Sequence, residues 1–237
     1  GGGIEHAGER DASGAVISTL SLTNVSISDL GNNGIEADNV AVTLDNTNVS
    51  ETSGTGVVVT SGSLTTSGGA INQSTIYGLA LVDTVANLTG LTVQTSAMDG
   101  LYASGGALTA TESAIKLNLG SGLHLSGVTA NLTNNNITDN TRYGIICGAS
   151  TFLACDNVLL GNGLGATDSC DAECFGGGII DDTGSPDTGT TDTGDSDTGA
   201  SEPIKPDTGA PSTDPDTAAP TDLIDTGSAP VSETVDD

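Results

Sequence analysis

A glycine followed by an aliphatic residue recurs every 22 positions through the first two thirds of the chain. The pairs are Gly34-Ile35, Gly56-Val57, Gly78-Leu79, Gly100-Leu101, Gly122-Leu123 and Gly144-Ile145. A fixed period of this length is typical of a solenoid, in which each repeat buries its apolar face only against its neighbours. The sequence therefore predicts a stack of similar turns.

Residues 22 positions apart should occupy equivalent places in successive turns, and several such columns are apolar. One column contains Ile27, Val49, Ile71, Val93, Ile115, Ile137 and Leu159, and another contains Ile35, Val57, Leu79, Leu101, Leu123 and Ile145. Between them, apolar residues alternate with Ser, Thr and Asn, as in Val42-Thr43-Leu44, which is typical of a strand with one buried face. Each turn is predicted to hold about three short strands, separated by corner residues such as Asn24 and Asn46.

A repeat of 22 residues is too short for a strand, a crossover helix and a return strand, and no segment has an apolar period of 3.6 residues. On the recurrent Gly-aliphatic pair and the Asn corners, the chain resembles the right-handed parallel β-helix repeat proteins of the pectin-lyase-like superfamily. The resemblance covers about residues 3–181. It implies an all-β fold, a single-stranded right-handed parallel β-helix of about seven turns, and identifies a fold rather than an activity.

The repeat is interrupted near both ends, so residues 1–181 are predicted to form the β-helix with two loop insertions. Gly3-Ile4 precedes Gly34-Ile35 by 31 residues, which places an insertion at about 6–15. A second insertion is predicted at about 163–177. Because the chain opens in mid-repeat, we expect the solenoid to be N-terminally incomplete and an upstream domain to belong to the same chain.

Residues 182–237 differ in composition from the solenoid, being rich in Asp, Thr, Gly and Pro. They contain too few apolar residues to offset the entropy of ordering, and their negative charges repel one another. A disordered acidic linker or stalk is predicted. Its repeated Asp-Thr-Gly tripeptides resemble the tails of bacterial surface proteins, which implies an extracellular or cell-surface location.

The formal net charge of −27 restricts the partners of the chain. A surface for nucleic acid or acidic phospholipid needs clustered Lys and Arg, and the four basic residues are scattered. We therefore expect no nucleic-acid partner and no direct membrane insertion of this segment. A polysaccharide or another surface protein is the expected partner.

Four cysteines lie in the last turn and its insertion: Cys147, Cys155, Cys170 and Cys174. An even number at the end of a solenoid favours two disulfides and an oxidising compartment, with three pairings open. A metal site is not expected, because such sites usually use close-spaced pairs, whereas Cys147 and Cys155 are eight residues apart and lack a nearby histidine.

Charged residues of the solenoid concentrate in the first insertion and the turn that follows it. Glu5 and Glu36 share an outward column, and Arg10 lies in the insertion, so these three are the candidate catalytic residues. A second stacked pair is Asp29 and Glu51. Carboxylates on neighbouring turns lie about 5 Å apart, which suits hydrolysis by paired carboxylates, calcium binding or simple solvation. No cofactor is required by the sequence, and Ca²⁺ is the one cofactor considered.

Tyr102 and His124 lie further along the outward column that contains Glu36 and are the candidate glycan-binding residues. No Ser, Cys or carboxylate stacks beside His124 in that column, which predicts a surface histidine without catalytic partners. Aromatic rings suit contacts with sugar rings, although aromatic residues make up only 2% of the chain.

Together these features favour a non-enzymatic extracellular or cell-surface β-helix that serves structural display, adhesion or glycan recognition. The alternative is a carbohydrate-active enzyme of the pectin-lyase-like superfamily, either a polysaccharide lyase or a glycoside hydrolase. Catalysis at Glu5, Arg10 and Glu36 would favour the enzyme, and binding without turnover at Tyr102 and His124 would favour the module.

Overall fold

The computed structural model describes residues 3–170 and 172–173. The predicted acidic stalk at 182–237, Cys174 and the side chain of Cys155 lie outside the described residues. In chain order the strands are β1 (Ile4–Ala7), β2 (Ser18–Thr23), β3 (Ser26–Ile27), β4 (Ile35–Asp38), β5 (Val40–Asp45), β6 (Asn48–Thr52), β7 (Val57–Thr60), β8 (Ser63–Ser67), β9 (Ala70–Ser74), β10 (Leu79–Thr89), β11 (Thr92–Gln94), β12 (Leu101–Thr111), β13 (Ala114–Lys116), β14 (Leu123–Ser126), β15 (Thr129–Thr133), β16 (Asn136–Thr138), β17 (Tyr143–Gly148), β18 (Thr151–Cys155), β19 (Gly165–Asp168) and β20 (Ala172–Glu173).

The described strands stack in parallel as the three faces of a β-helix of about seven turns, as the sequence predicts. The first face stacks β1, β4, β7, β10, β12, β14, β17 and β19, and the second stacks β2, β5, β8, β10, β12, β15, β18 and β20. β10 and β12 run through both faces without a break. The third face stacks β16, β13, β11, β9, β6 and β3.

Strand register confirms the 22-residue period, because partners such as Leu79 and Leu101, or Leu101 and Leu123, face each other across neighbouring rungs. The first-face column of Ile35, Val57, Leu79, Leu101, Leu123 and Ile145 is completely buried, with 0% exposure at each position. The third-face column from Val49 to Leu159 is at most 4% exposed. One continuous core thus runs along the solenoid axis.

The corner residues and the recurrent glycine solve different steric problems. Asn24, Asn46 and Asn134 have positive φ angles of 54°, 45° and 57°, so they act as the predicted left-handed corners. The recurrent glycine is needed for close approach instead. A Cβ on Gly56 would lie 2.4 Å from Ile71 Cγ2 and 2.6 Å from the Gly78 carbonyl oxygen.

Buried asparagines form ladders that complete the corners of the later turns. Asn135 Nδ2 donates to Asn157 Oδ1 at 2.9 Å, and the Asn135 backbone N–H donates to the same oxygen. Asn118, Asn140 and Asn162 form a second ladder of this kind. Because a buried polar group without a partner destabilises the fold, each rung depends on the next one.

The N-terminal insertion lies between β1 and β2, at residues 8–17, close to the predicted 6–15. Arg10 fastens it to the solenoid: Nε donates to Asn39 Oδ1 at 2.6 Å, Nη1 donates to the Gly14 carbonyl at 2.7 Å and Nη2 donates to the Ser61 carbonyl. Asp11 Oδ1 accepts hydrogen bonds from Ser13 and Ala15. These bonds hold the pKa of the Asp11 carboxyl below its ordinary value.

The 22-residue register continues beyond Gly144 for one more rung. β19 pairs with β17, so that Ile146 faces Asp168. The start of the predicted 163–177 insertion is therefore a strand rather than a loop, because its backbone completes the hydrogen bonds of β17. Cys147 and Cys170 form a disulfide that joins these last turns, which fixes one of the cysteine pairs that the sequence left open. No helix long and apolar enough to cross a membrane occurs among the described residues.

Candidate functional site

Three rings on successive turns form a continuous aromatic surface on the first face and the corner before it. Tyr77 stacks on Tyr102 with ring centroids 5.1 Å apart and an interplanar angle of 18°. Tyr102 then meets the edge of His124, with centroids 5.4 Å apart and an angle of 83°. The predicted pair of Tyr102 and His124 is thus in contact, and Tyr77 extends it by one turn.

A buried carboxylate adjoins these rings. Asp99 is only 8% exposed, and its Oδ2 lies 3.3 Å from Nδ1 of His124. The other oxygen, Oδ1, accepts a hydrogen bond from the Ser121 backbone N–H at 2.7 Å. Asp99 therefore has one oxygen fixed by the backbone and one directed at the imidazole.

The position of Asp99 follows from the corner that precedes each recurrent glycine. Asn33, Thr55, Tyr77, Asp99, Ser121 and Tyr143 occupy this column, which we call the corner column. Gly120 lies against Asp99, and a Cβ there would come within 2.4 Å of Asp99 Oδ1. The missing side chain at Gly120 leaves the room that the carboxylate occupies.

The same carboxylate affects the nearest phenol. Burial, followed by the negative charge of Asp99 and then the neighbouring Tyr102, raises the pKa of Tyr77 above its ordinary value. An ordinary phenol is already protonated at neutral pH, so Tyr77 offers a hydrogen-bond donor at the site, and its raised pKa extends that form to higher pH.

This arrangement has the elements of a general acid–base site. If Nδ1–H of His124 donates to Asp99, Nε2 is left unprotonated and able to accept a proton. The His124 side chain is 38% exposed, so a substrate has access to it. A carboxylate that orients a histidine beside two phenols is suited to moving protons to and from a bound molecule.

His124 is partly exposed, as predicted for a surface histidine, but the prediction that it has no carboxylate neighbour is wrong. Asp99 contacts it from the corner column rather than from the outward column of His124, and the two residues are 25 positions apart. Sequence reasoning missed Asp99 and Tyr77 because columns were compared only along one strand. The signal was present, since Asp99 stands where Asn33 stands three turns earlier.

The border of the aromatic site is apolar on one side and basic at one point. Ile76 and Met98 precede Tyr77 and Asp99 and are 39% and 46% exposed. In the same column, the Arg142 backbone N–H donates to the Gly120 carbonyl at 3.0 Å, and the Arg142 side chain is exposed. Arg142 thus lies one turn above the glycine that packs on Asp99.

The structure places the candidate catalytic residues Glu5, Arg10 and Glu36 near the N-terminal end of the solenoid. Glu5 and Glu36 face each other on neighbouring rungs, as predicted. Glu36 also accepts a hydrogen bond from Asn33 Nδ2 at 2.9 Å. Arg10 instead binds the Gly14 carbonyl of its own loop, the Asn39 side chain and the Ser61 carbonyl. Among the described residues, no salt bridge joins it to either glutamate.

The second stacked acidic pair consists of Asp29 and Glu51, whose carboxyl groups interact directly. A hydrogen bond shared with Asp29, together with the charge of Asp29, raises the pKa of Glu51 above its ordinary value. Within residues 3–170 and 172–173, no group of three or more His, Cys, Asp or Glu side chains could hold a metal ion.

Comparisons with known proteins agree with this architecture. The sequence matches the family described as "Right handed beta helix region" over residues 11–163, and no curated protein matches it. A mutant of the periplasmic alginate epimerase AlgG is similar in structure, with a TM-score of 0.62 and 12% identity over 73% of this chain and 46% of that one. Another AlgG structure gives a TM-score of 0.57 and 13% identity over 63% and 42%. The A-module of the mannuronan C-5 epimerase AlgE6 of Azotobacter vinelandii gives only 0.41 at 13% identity, over 65% and 60%.

These comparisons overturn the prediction of a non-enzymatic display or recognition module. The similar AlgG structures are those of an enzyme that modifies a carbohydrate, which is the alternative that the sequence left open. The chain spans less than half the length of those structures, and at 12–13% identity the likeness concerns the fold. With its stacked parallel strands and a family match over residues 11–163, more than half of its length, the chain belongs to the right-handed β-helix family.

Proposed function

We propose that this protein is a polysaccharide-modifying enzyme that removes a proton from a uronic acid unit, as an epimerase or a lyase does. The observation on which the proposal depends is the contact between the buried Asp99 carboxylate and the exposed His124 imidazole, beside two tyrosines. The fold it shares with alginate epimerases supports a polysaccharide as the substrate.

His124 would serve as the base. Asp99 holds Nδ1, so that Nε2 faces the substrate and takes the proton from the sugar carbon that bears the carboxyl group. The pair of electrons left on that carbon is delocalised into the carboxyl group. Asp99 also stabilises the imidazolium that forms.

The tyrosines would supply the second proton transfer from the same side as His124. A phenol there can protonate the departing glycosidic oxygen, which breaks the chain as a lyase does. Tyr102 contacts His124 directly and is the nearer donor, and Tyr77 stacks on Tyr102. Arg142 is the nearby cation that would accept the substrate carboxylate.

Hydrolysis by paired carboxylates is less well supported. It would use Glu5 and Glu36, which are exposed neighbours without a basic partner among the described residues. Among the described residues, a buried carboxylate contacts a histidine at the aromatic site alone.

A secreted or periplasmic location is part of the proposal. The AlgG structures come from a periplasmic enzyme, and the Cys147–Cys170 disulfide suits an oxidising compartment. The acidic segment at 182–237 would then be a spacer next to the catalytic solenoid.

The test is solvent hydrogen exchange. The full chain is incubated in D₂O with uronate-containing polysaccharides, and NMR follows loss of the proton next to the carboxyl group while ultraviolet absorbance follows unsaturated chain ends. The wild type should exchange or eliminate that proton, and the His124→Ala variant should do neither. Absence of both reactions across these polysaccharides would overturn the proposal.

A further inference from the structure

A straight column of outward-facing side chains runs through the aromatic site along the first face. Neighbouring rungs present Glu36, Val58, Ala80, Tyr102, His124, Ile146 and Asp168 in continuous register. The rungs are about 4.8 Å apart, a spacing close to the length of one sugar unit. A polysaccharide lying along this column would meet roughly one new side chain per unit.

The ring contacts indicate that the substrate follows this direction. Tyr77, Tyr102 and His124 come from three successive turns, so their aromatic surface extends along the solenoid axis rather than across it. Sugar rings pack on such surfaces through their apolar faces.

The positions that flank the reactive pair are uncharged. Ala80 lies one rung before Tyr102 and is 8% exposed, and Ile146 lies one rung after His124 and is half-buried. Val58 continues the apolar surface beyond Ala80. None of these three side chains can donate a hydrogen bond to a carboxylate.

Carboxylates stand at the two outer positions of the column. Asp168 lies two rungs beyond His124, and Glu36 lies three rungs before Tyr102. Ser169 Oγ donates to Asp168 Oδ1, and Asn33 Nδ2 donates to Glu36 Oε2. These neutral donors leave the negative charges of both groups uncompensated, so each would repel a substrate carboxylate placed above it.

Basic side chains are too few to offset this repulsion. Of the three within the described residues, Arg10 is bound to Gly14, Asn39 and Ser61, and Lys116 lies on the third face in β13. Arg142 remains, and its backbone N–H donates to the carbonyl of Gly120, the glycine that packs on Asp99. The described residues thus offer one cation whose backbone adjoins the site.

From this distribution, and given the proposed function, we infer that the substrate is a heteropolysaccharide in which the reacting uronic acid unit is flanked by neutral sugars. A continuous polyuronate presents a carboxylate at every unit and would place them over apolar and acidic positions. A heteropolysaccharide presents its carboxylate at the Arg142 side of the site and neutral units elsewhere.

The test first varies substrate charge within one sugar series and then uses an alternating polymer. The full chain is incubated in D₂O with polymannuronate and polygalacturonate, each before and after partial reduction of its carboxyl groups, and with hyaluronan, in which uronate units alternate with neutral ones. Hydrogen exchange is measured per remaining uronate. We expect partial reduction to raise this rate, and we expect Asp168→Asn to raise the rate on the unreduced polymers about fivefold with little effect on the reduced ones. Asp45→Asn, on the second face, is the matched control and should leave both rates unchanged.

The outcomes separate the inference from the function on which it rests. A higher rate after reduction, or exchange confined to hyaluronan, supports the inference. If unreduced polyuronates exchange as fast per uronate as their reduced forms, and His124→Ala abolishes that exchange, the inference fails and the proposed function stands. If no polymer exchanges, the proposed function fails and the inference fails with it.

Discussion

Two corners of the solenoid, three turns apart, share a backbone arrangement but differ in one side chain. At the first, Asn33 Oδ1 accepts a hydrogen bond from the Thr55 N–H at 2.9 Å, and Gly54 leaves room for the amide. At the second, Asp99 Oδ1 accepts one from the Ser121 N–H at 2.7 Å, and Gly120 leaves room for the carboxylate. Because an amide completes this corner, the fold does not require a carboxylate at Asp99.

The terminal atom that does not bind the backbone, Nδ2 of Asn33 or Oδ2 of Asp99, distinguishes the two corners. Asn33 Nδ2 donates to Glu36 in the same turn, which is a local contact. Asp99 Oδ2 reaches His124 in the next turn. The first corner is structural, and the second adds a charged acceptor that orients an exposed imidazole.

The largest expected effect is at His124, which has no counterpart at the first corner. His124→Ala should lower kcat by about a thousandfold, because it removes the proposed base. The melting temperature should change little, since the side chain is partly exposed. Ser126→Ala, on the same strand β14, is the control and should retain activity; an active His124→Ala enzyme would place the chemistry elsewhere.

The two glycines offer a matched pair of substitutions. Gly120→Ala and Gly54→Ala each put a Cβ within 2.5 Å of the neighbouring Oδ1, so each should destabilise the fold by about 1–3 kcal/mol. Only Gly120→Ala displaces the Asp99 carboxylate, and it should lower kcat by about a hundredfold. Thermal unfolding and turnover are measured for both variants, and equal losses of activity would contradict the distinction between the corners.

A smaller effect is expected from the basic residue above Gly120. Arg142→Gln should raise KM about tenfold and alter kcat less, because the guanidinium would bind the substrate carboxylate in both the ground state and the transition state. Lys116→Gln removes the same charge from the third face and is the control. Identical kinetics for the two variants would remove Arg142 from the site.

The smallest effect concerns the acidic pair at the N-terminal end. The pKa of Glu51 is raised by Asp29, so its contribution to stability is present below the unfolded pKa and is lost as pH rises through the folded pKa. Glu51→Gln should therefore raise the melting temperature slightly near neutral pH and make it less dependent on pH in the acidic range. Glu112→Gln is the comparison variant, and an equal change in both would show that general charge reduction is responsible.

Much of the fold is predictable because the 22-residue period determines which residues pair on adjacent rungs. Residues such as Ile115 and Ile137 are partners on adjacent rungs simply because they are 22 positions apart. Roles within a corner are harder to predict. Asn134 has a left-handed backbone and Asn135 is a buried ladder residue, although the two are adjacent and chemically identical.

The site is only partly predictable, because the period determines contacts within a column but not contacts between columns. Tyr102 and His124 share a column, so their contact follows from the period. The contact of Asp99 with His124 crosses from a corner to a strand, and its distance depends on how sharply the chain turns at Gly100. The 22-residue period does not determine the angle of the chain at Gly100.

The role of Asp99 is tested most directly by interchanging the carboxylate and the amide at the two corners. Asp99→Asn keeps the acceptor for the Ser121 N–H but removes the charge that orients His124, while Asn33→Asp makes the reverse change at the first corner. Melting temperature and deuterium exchange into a uronate-containing heteropolysaccharide are measured for both. For Asp99→Asn we expect a nearly unchanged melting temperature and a rate of deuterium exchange lower by about a hundredfold or more. For Asn33→Asp we expect full activity. Full activity of Asp99→Asn would contradict the proposed role of Asp99.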